Sequence, residues 1–291
     1  MARQVVLDVR LPRAVMGGCV GALLALAGVL LQGFLRNPLA EPYLLGVSSG
    51  AGLAVTIALL AGVPAFIYGI YTVPLFAFAG ALVALVAVYL LAQFRGRLMV
   101  TTLVLAGVVV SSFLSALIML LASTSTERFF EVFAWLMGHL QPVNSGAVSW
   151  ISIWTLLGLA AVWAQARDLN ALMLGEEEAV SLGVRVEPFK RALFLLASLL
   201  TGAAVAVSGL IGFVGLVAPH AARLMVGSDH RRLIPASALT GAVLLLLSDT
   251  LARLVVAPAE LPVGVVTALV GGPFFLVLLL RHARELTRRP R

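Results

Sequence analysis

Nine apolar runs punctuate this chain, at about 14–35, 43–62, 74–92, 102–122, 147–165, 192–208, 210–227, 233–257 and 263–280. A hydrocarbon core about 30 Å thick needs about 20 helical residues at 1.5 Å each, so runs of this length read as membrane-crossing helices. The strand alternation of a membrane barrel is absent. Hydrophobic residues make up 61% of 291 positions and charged ones 11%, against about 45–50% and 25% in soluble domains. No water-soluble core hides that much apolar surface. The sequence therefore predicts an all-α, polytopic membrane helical bundle of about nine spans.

Two interruptions carry more information than the runs. Between the first two lies Arg36-Asn37-Pro38-Leu39-Ala40-Glu41-Pro42, and between the sixth and seventh lies Ser208 to Gly215. Polar, helix-breaking residues at such places are costly unless they line a pathway or a junction, which points to a transporter. One of the sixth and seventh runs is expected to be a short, half-penetrating helix. Glu127 to Gly138 has the amphipathic pattern of a helix lying at the surface.

The net charge of +7 follows the loops. Arg36, Arg95, Arg97, Arg167, Arg185, Lys190, Arg191, Arg223, Arg231, Arg232, Arg281, Arg284, Arg288, Arg289 and Arg291 fall on one side, and Arg3, Arg10, Arg13, Arg128 and Arg253 on the other. The positive-inside rule then puts the C-terminus in the cytoplasm. An odd span count leaves an arginine-bearing N-terminus outside. Basic residues used this way give no reason to expect nucleic acid. No cleavable signal peptide is expected, and the single Cys19 lies within the first run, where no intrachain disulfide is possible.

The chain also resembles itself at an offset of 181 residues, where Gly21, Gly28, Pro38 and Gly46 meet Gly202, Gly209, Pro219 and Gly227. The first and sixth spans cross in opposite directions, so an inverted repeat with halves at about 14–122 and 192–281 is the natural reading.

Chemistry is sparse. The only lysine, Lys190, follows no glycine-rich phosphate loop, so nucleotide-driven transport would need a partner to hydrolyse the nucleotide. No catalytic, cofactor or metal-binding set is expected. Asp249 is the sole carboxylate within a run, and Arg253 four residues later predicts an internal ion pair rather than a proton relay. Gly46-Val47-Ser48-Ser49-Gly50 matches a nucleophile elbow in letters, but it opens a membrane helix, where small residues serve close packing. His220, after Pro219, is expected to bond a carbonyl freed by the proline. The loop at about 166–191 contains Leu174 to Val184, with acidic residues at a helix start and Gly183 placed to stop it. It reads either as a helix docking a cytoplasmic partner or as a solvated connector.

Taken together, Arg10-Leu11-Pro12-Arg13, Gln32 to Gly50, Gly175 to Val184, Gly209 to Gly227, Asp229-His230-Arg231 and Ala259 to Thr267 resemble the permease family of type II ABC importers for iron-siderophores, haem and vitamin B12. The resemblance implies a homodimer in the cytoplasmic (inner) membrane, surrounded by lipid, with its pathway between the copies. It also implies two cytoplasmic ATPase subunits and a periplasmic or lipid-anchored binding protein. Gly175, Glu176, Glu177, Glu178, Ala179, Leu182 and Gly183 fall on the family's ATPase-coupling helices. Asn37 and Leu39 match its cytoplasmic gate, whereas Val100 and Thr101 depart from the hydroxyl pair expected in a second gate element. Arg10, Arg13 and Arg253 match arginines that receive the binding protein. The family fold has ten spans, one of them before Arg10, and this chain starts where that helix ends; a displaced start or a missing helix is the expectation. The rival classes are an ion-coupled secondary transporter and an intramembrane hydrolase.

Overall fold

The first apolar run becomes the hub of the bundle. In the computed structural model, which describes residues 2–64, 66–67, 70–94, 97–140 and 145–288, helix α2 spans Leu11–Leu35 and is buried on every side from Val20 to Phe34. A helix that is apolar all round belongs in the centre, and α10, α11, α12 and α7 pack around it. Arg95, Arg289 and Arg291, counted above in the charge asymmetry, lie outside the described residues.

Helix α1 (Ala2–Val5) and a π-helical turn, Val6–Arg10, lead directly into α2. Arg10 to Arg13 therefore form part of a continuous helix rather than a loop outside it. Pro12 directly follows the π-helical turn, so its missing N–H falls where the regular α-helical bonding pattern is already interrupted.

The second run departs from expectation. Instead of one span over 43–62, the chain forms a 3-10 turn at Pro42–Leu45, reverses at Gly46 (φ +75°), and then enters α3 (Val47–Leu60). Fourteen residues rise only about 21 Å. α4 (Thr72–Ala92) and α5 (Val100–Ser123) follow, their entries marked by the two-residue ladders of β1 (Phe66–Ile67) with β2 (Ile70–Tyr71) and β3 (Gln93–Phe94) with β4 (Arg97–Leu98). The amphipathic segment folds as α6, Thr126–Leu136. Next come α7 (Ser145–Ala164), α8 (Ala166–Leu174), α9 (Glu176–Ser181) and α10 (Val186–Ser208). α11 (Val214–Val226) is the expected short helix, and α12 (His230–Leu254) and α13 (Val263–Arg288) complete the chain.

Seven helices among the described residues are long and apolar enough to cross a membrane, and α3 and α11 are the two shorter apolar ones. The nine runs are thus all helical. The two halves also share an order: α2 to α5 measure 25, 14, 21 and 24 residues, and α10 to α13 measure 23, 13, 25 and 26. The entry residue of each short helix is left-handed, Gly46 in one half and Phe213 (φ +68°) in the other. That pairing differs from the 181-residue register, which set Gly46 against Gly227.

Helices touch where side chains vanish. A Cβ on Gly28 of α2 would stand 1.8 Å from the carbonyl oxygen of Gly215 in α11, and one on Gly50 of α3 would stand 2.4 Å from that of Gly80 in α4. The small residues around Ser48 therefore serve helix packing.

Candidate functional site

The two chain breaks meet. Glu41 accepts the backbone N–H of Phe213, and the Tyr43 hydroxyl accepts that of Ile211 at 2.6 Å. From the end of α2, Gln32 Nε2 also donates to the carbonyl of Gly215 at 3.4 Å, and Arg223 of α11 donates to Gln32 Oε1 at 3.3 Å. Backbone groups freed from a helix inside a membrane protein find no bulk water, so side chains must satisfy them. Side chains in and beside the first break thus satisfy backbone groups of the second.

Just ahead of this junction, the turn after α2 is built by Asn37. Its Oδ1 accepts the N–H of Leu39 at 2.9 Å, while its own N–H bonds Gln32 O at 3.1 Å. Asn37 is exposed and Leu39 half-buried. Thr101 is exposed in the first turn of α5. His220 contradicts its expected role: its ring stands edge-on to Phe274 at 5.7 Å, and its buried Nδ1 has no hydrogen-bond partner. Phe274, on α13, was out of reach of a local reading.

At the same end as the Asn37 turn, α8 and α9 form a cap over the bundle. Gly175 (φ +152°) opens α9, and the Glu178 carboxylate folds so close over it that a Cβ would collide. Gly183 (φ +88°) closes α9: its N–H bonds Val180 O, and the N–H of Val184 bonds Ala179 O, both at 2.9 Å. This is the glycine-ended stop the sequence predicted. Ala179 is wholly buried and anchors α9, whereas Glu177, Val180 and Leu182 face outward. Leu174 and Val180, within the stretch read as a docking helix, are exposed apolar residues, and Met173, which that stretch left out, is exposed beside them in sequence.

Asn170 holds this cap to α12. Its Nδ2 donates to Asp229 at 2.7 Å, and its Oδ1 accepts from the N–H of His230 at 3.0 Å and from His230 Nδ1 at 2.7 Å. An amide oxygen only accepts, so Nδ1 carries the proton. Asp229 also caps α12 by accepting the N–H of Arg231, and the Asn170 bond is the larger cause holding its carboxyl below the usual range.

The opposite end carries a charge network. Arg13 donates to Asp249 at 2.8 and 3.1 Å and to Glu260 at 2.9 Å, and Arg253 approaches the second Asp249 oxygen at 3.3 Å. The expected Asp249–Arg253 pair is present within this larger set. With side-chain exposures of 11% for Arg13 and 3% for Asp249, both are committed internally, while Arg10 stays exposed. A carboxylate clasped by two arginines makes a poor proton relay.

A sequence model described as the FecCD transport family matches residues 1–281. The chain belongs to the FecCD transport family. It is 45% identical over 278 residues to the cobalamin import system permease protein BtuC of Halobacterium salinarum, covering 96% of this chain and 74% of that protein. It is 44% identical over 286 residues to the hemin transport system permease protein HmuU of Yersinia pestis, covering 96% of this chain and 84% of that protein. A solved structure described as an inward-facing conformation of a metal-chelate type ABC transporter matches with a TM-score of 0.87 at 37% identity, covering 96% of this chain and 88% of that one. This FecCD-family chain is thus a membrane-embedded, multi-pass permease.

One cavity of about 570 Å³ opens among the ends of α3, α4, α6 and α10, lined by Leu59, Tyr71, Pro74, Trp135, His139 and Ser208. Among the described residues, no group of three or more His, Cys, Asp or Glu side chains is placed to hold a metal ion.

Proposed function

We propose that this chain is the pore-forming permease of an ATP-driven importer that carries a large chelate, of the iron-siderophore, haem or cobalamin kind, across the cytoplasmic membrane. It works as a homodimer, with its C-terminus cytoplasmic and two inverted halves at about 14–122 and 192–281. The observation that supports this best is the family match over residues 1–281 in a chain with two interlocked helix breaks. Discontinuous helices meeting within the bundle recur in transporters, where they build pathways that change access.

In this reading Asn37 and Leu39 of two copies face each other at the inner mouth, as hydrogen-bonding group and apolar plug. The cap formed by α8 and α9, from Gly175 to Gly183, docks an ATPase subunit through Glu177, Val180 and Leu182. Arg10, with Arg13 and Arg253 behind it, faces a binding protein outside, where an arginine fork suits carboxylates. Native mass spectrometry of the permease co-expressed with its ATPase tests the assembly. A complex of two permeases and two ATPases is expected, and a permease that never captures ATPase would defeat the proposal.

A further inference from the structure

Glu176, grouped by sequence with the docking residues, is half-exposed, but its carboxylate pairs back onto the bundle. Its Oε1 lies 2.6 Å from Nζ of Lys190 in α10 and 3.7 Å from a guanidinium nitrogen of Arg36 at the end of α2. The two contacts differ in kind. The Lys190 side chain is only 6% exposed, and its next carboxylate, Glu187, is 3.9 Å away. A desolvated ammonium needs its counter-charge, so this contact is fixed. Arg36 and Glu176 are 37% and 47% exposed, and an ion pair so solvated is weak and easily remade.

Arg36 also opens the turn. It adopts φ +47° at the C-cap of α2, an uncommon conformation for a side chain with a Cβ, and directly precedes Asn37-Pro38-Leu39. On the other side, α9 is a six-residue helix closed by glycines at both ends. One carboxylate oxygen thus joins the first residue of α9, the body of α10 and the turn after α2.

We propose that Glu176 is a positioning residue, which carries displacement of α9 to the Arg36–Leu39 turn through Arg36, with Lys190 as its pivot. This rests on the transporter reading above, in which an ATPase moves α9 and the turn is the gate. It separates the outward residues of α9, which meet the partner, from Glu176, which passes the motion inward.

Two variants test the link from both ends. Glu176→Gln removes the counter-charge of both Lys190 and Arg36, whereas Arg36→Ala removes the Arg36 arm alone and leaves the Lys190 pair in place. In hydrogen-exchange mass spectrometry of the purified permease, Glu176→Gln should raise exchange in residues 37–45, and Arg36→Ala should raise it in residues 177–183. The expected rise is about twofold to fivefold, the range over which an exposed ion pair shifts an equilibrium. Arg36→Lys should restore most of the protection. In liposomes with the ATPase and binding protein, Arg36→Ala should retain ATP hydrolysis while substrate moved per ATP falls by a similar factor. Unchanged exchange at the distant segment overturns the proposal, as does unchanged transport per ATP or a parallel fall in hydrolysis and uptake. A wild-type complex without ATP-driven uptake would instead overturn the transporter reading, which the exchange data do not depend on.

Discussion

The carboxylate of Glu41 accepts the backbone N–H of Phe213, 172 residues further along the chain, at 2.5 Å. Phe213 stands at φ +68°, where a residue with a Cβ is strained, and its side chain packs against Gly271 of α13 so closely that a Cβ there would collide. Its strain persists because Glu41 and α13 hold it from two sides. The first break thereby satisfies backbone groups that the second would leave unpaired.

Removing one acceptor from that junction has a defined consequence. Tyr43→Phe leaves the N–H of Ile211 unpaired in a part-buried place and should cost about 1–3 kcal/mol, with Glu41→Ala at the upper end. Thermal unfolding in detergent measures it. A melting temperature unchanged in both variants would mean that water satisfies these groups.

Close helix packing predicts an asymmetry between glycines. Gly28→Ala drives a Cβ into the backbone of Gly215, which cannot swing aside, and should cost about 3 kcal/mol or more. Gly272→Ala on α13 meets nothing within 4 Å and should stabilise the protein by up to about 1 kcal/mol through helix propensity. Equal effects in a detergent melt would contradict the packing described.

Asn170→Ala should loosen the cap. It leaves the buried Nδ1–H of His230 without its acceptor, at a cost of about 1–3 kcal/mol. The Asp229 part of this effect depends on pH. Its carboxyl is held below its usual range, so its contribution is full above the unfolded value of about 3.9 and is lost as pH falls through the lower, folded one. The stability gap between wild type and Asn170→Ala should be flat from about pH 8 to pH 5 and narrow below about pH 4. A gap that narrows near neutrality would assign the effect elsewhere.

Much of this was legible because local chemistry decides it. Gly183 stops α9 and the acidic run starts it, whatever surrounds them. Helix α11 is short because Ser208 to Gly215 breaks any helix. The run at 43–62 misled because an apolar stretch reads alike with or without an internal break, although Gly46 marked the place. What could not be read were partners far apart in sequence. Arg13 and Asp249, 236 residues apart, meet only once α2 and α12 pack. Arg13 was therefore read without its internal pairs to Asp249 and Glu260, and His220 was assigned a carbonyl when Phe274 lay across from it.

That commitment separates two arginines that the sequence treated alike. Arg10→Glu should slow association with the binding protein, by about tenfold at low salt and less as salt rises, and spare folding. Arg13→Ala should destabilise the permease by about 1–3 kcal/mol, because Asp249 is left with Arg253 alone. Surface-plasmon association rates and thermal melts distinguish the two. If Arg10→Glu leaves association unchanged across a salt series, it merely anchors the helix end at lipid headgroups.

Uptake by proteoliposomes tests the central claim most directly. Vesicles would hold the permease with its ATPase, and a chelate-loaded binding protein would be added outside. Accumulation of chelate should require internal ATP and the binding protein, and should persist when ionophores collapse proton and sodium gradients. Accumulation that follows an ion gradient without ATP would contradict the account.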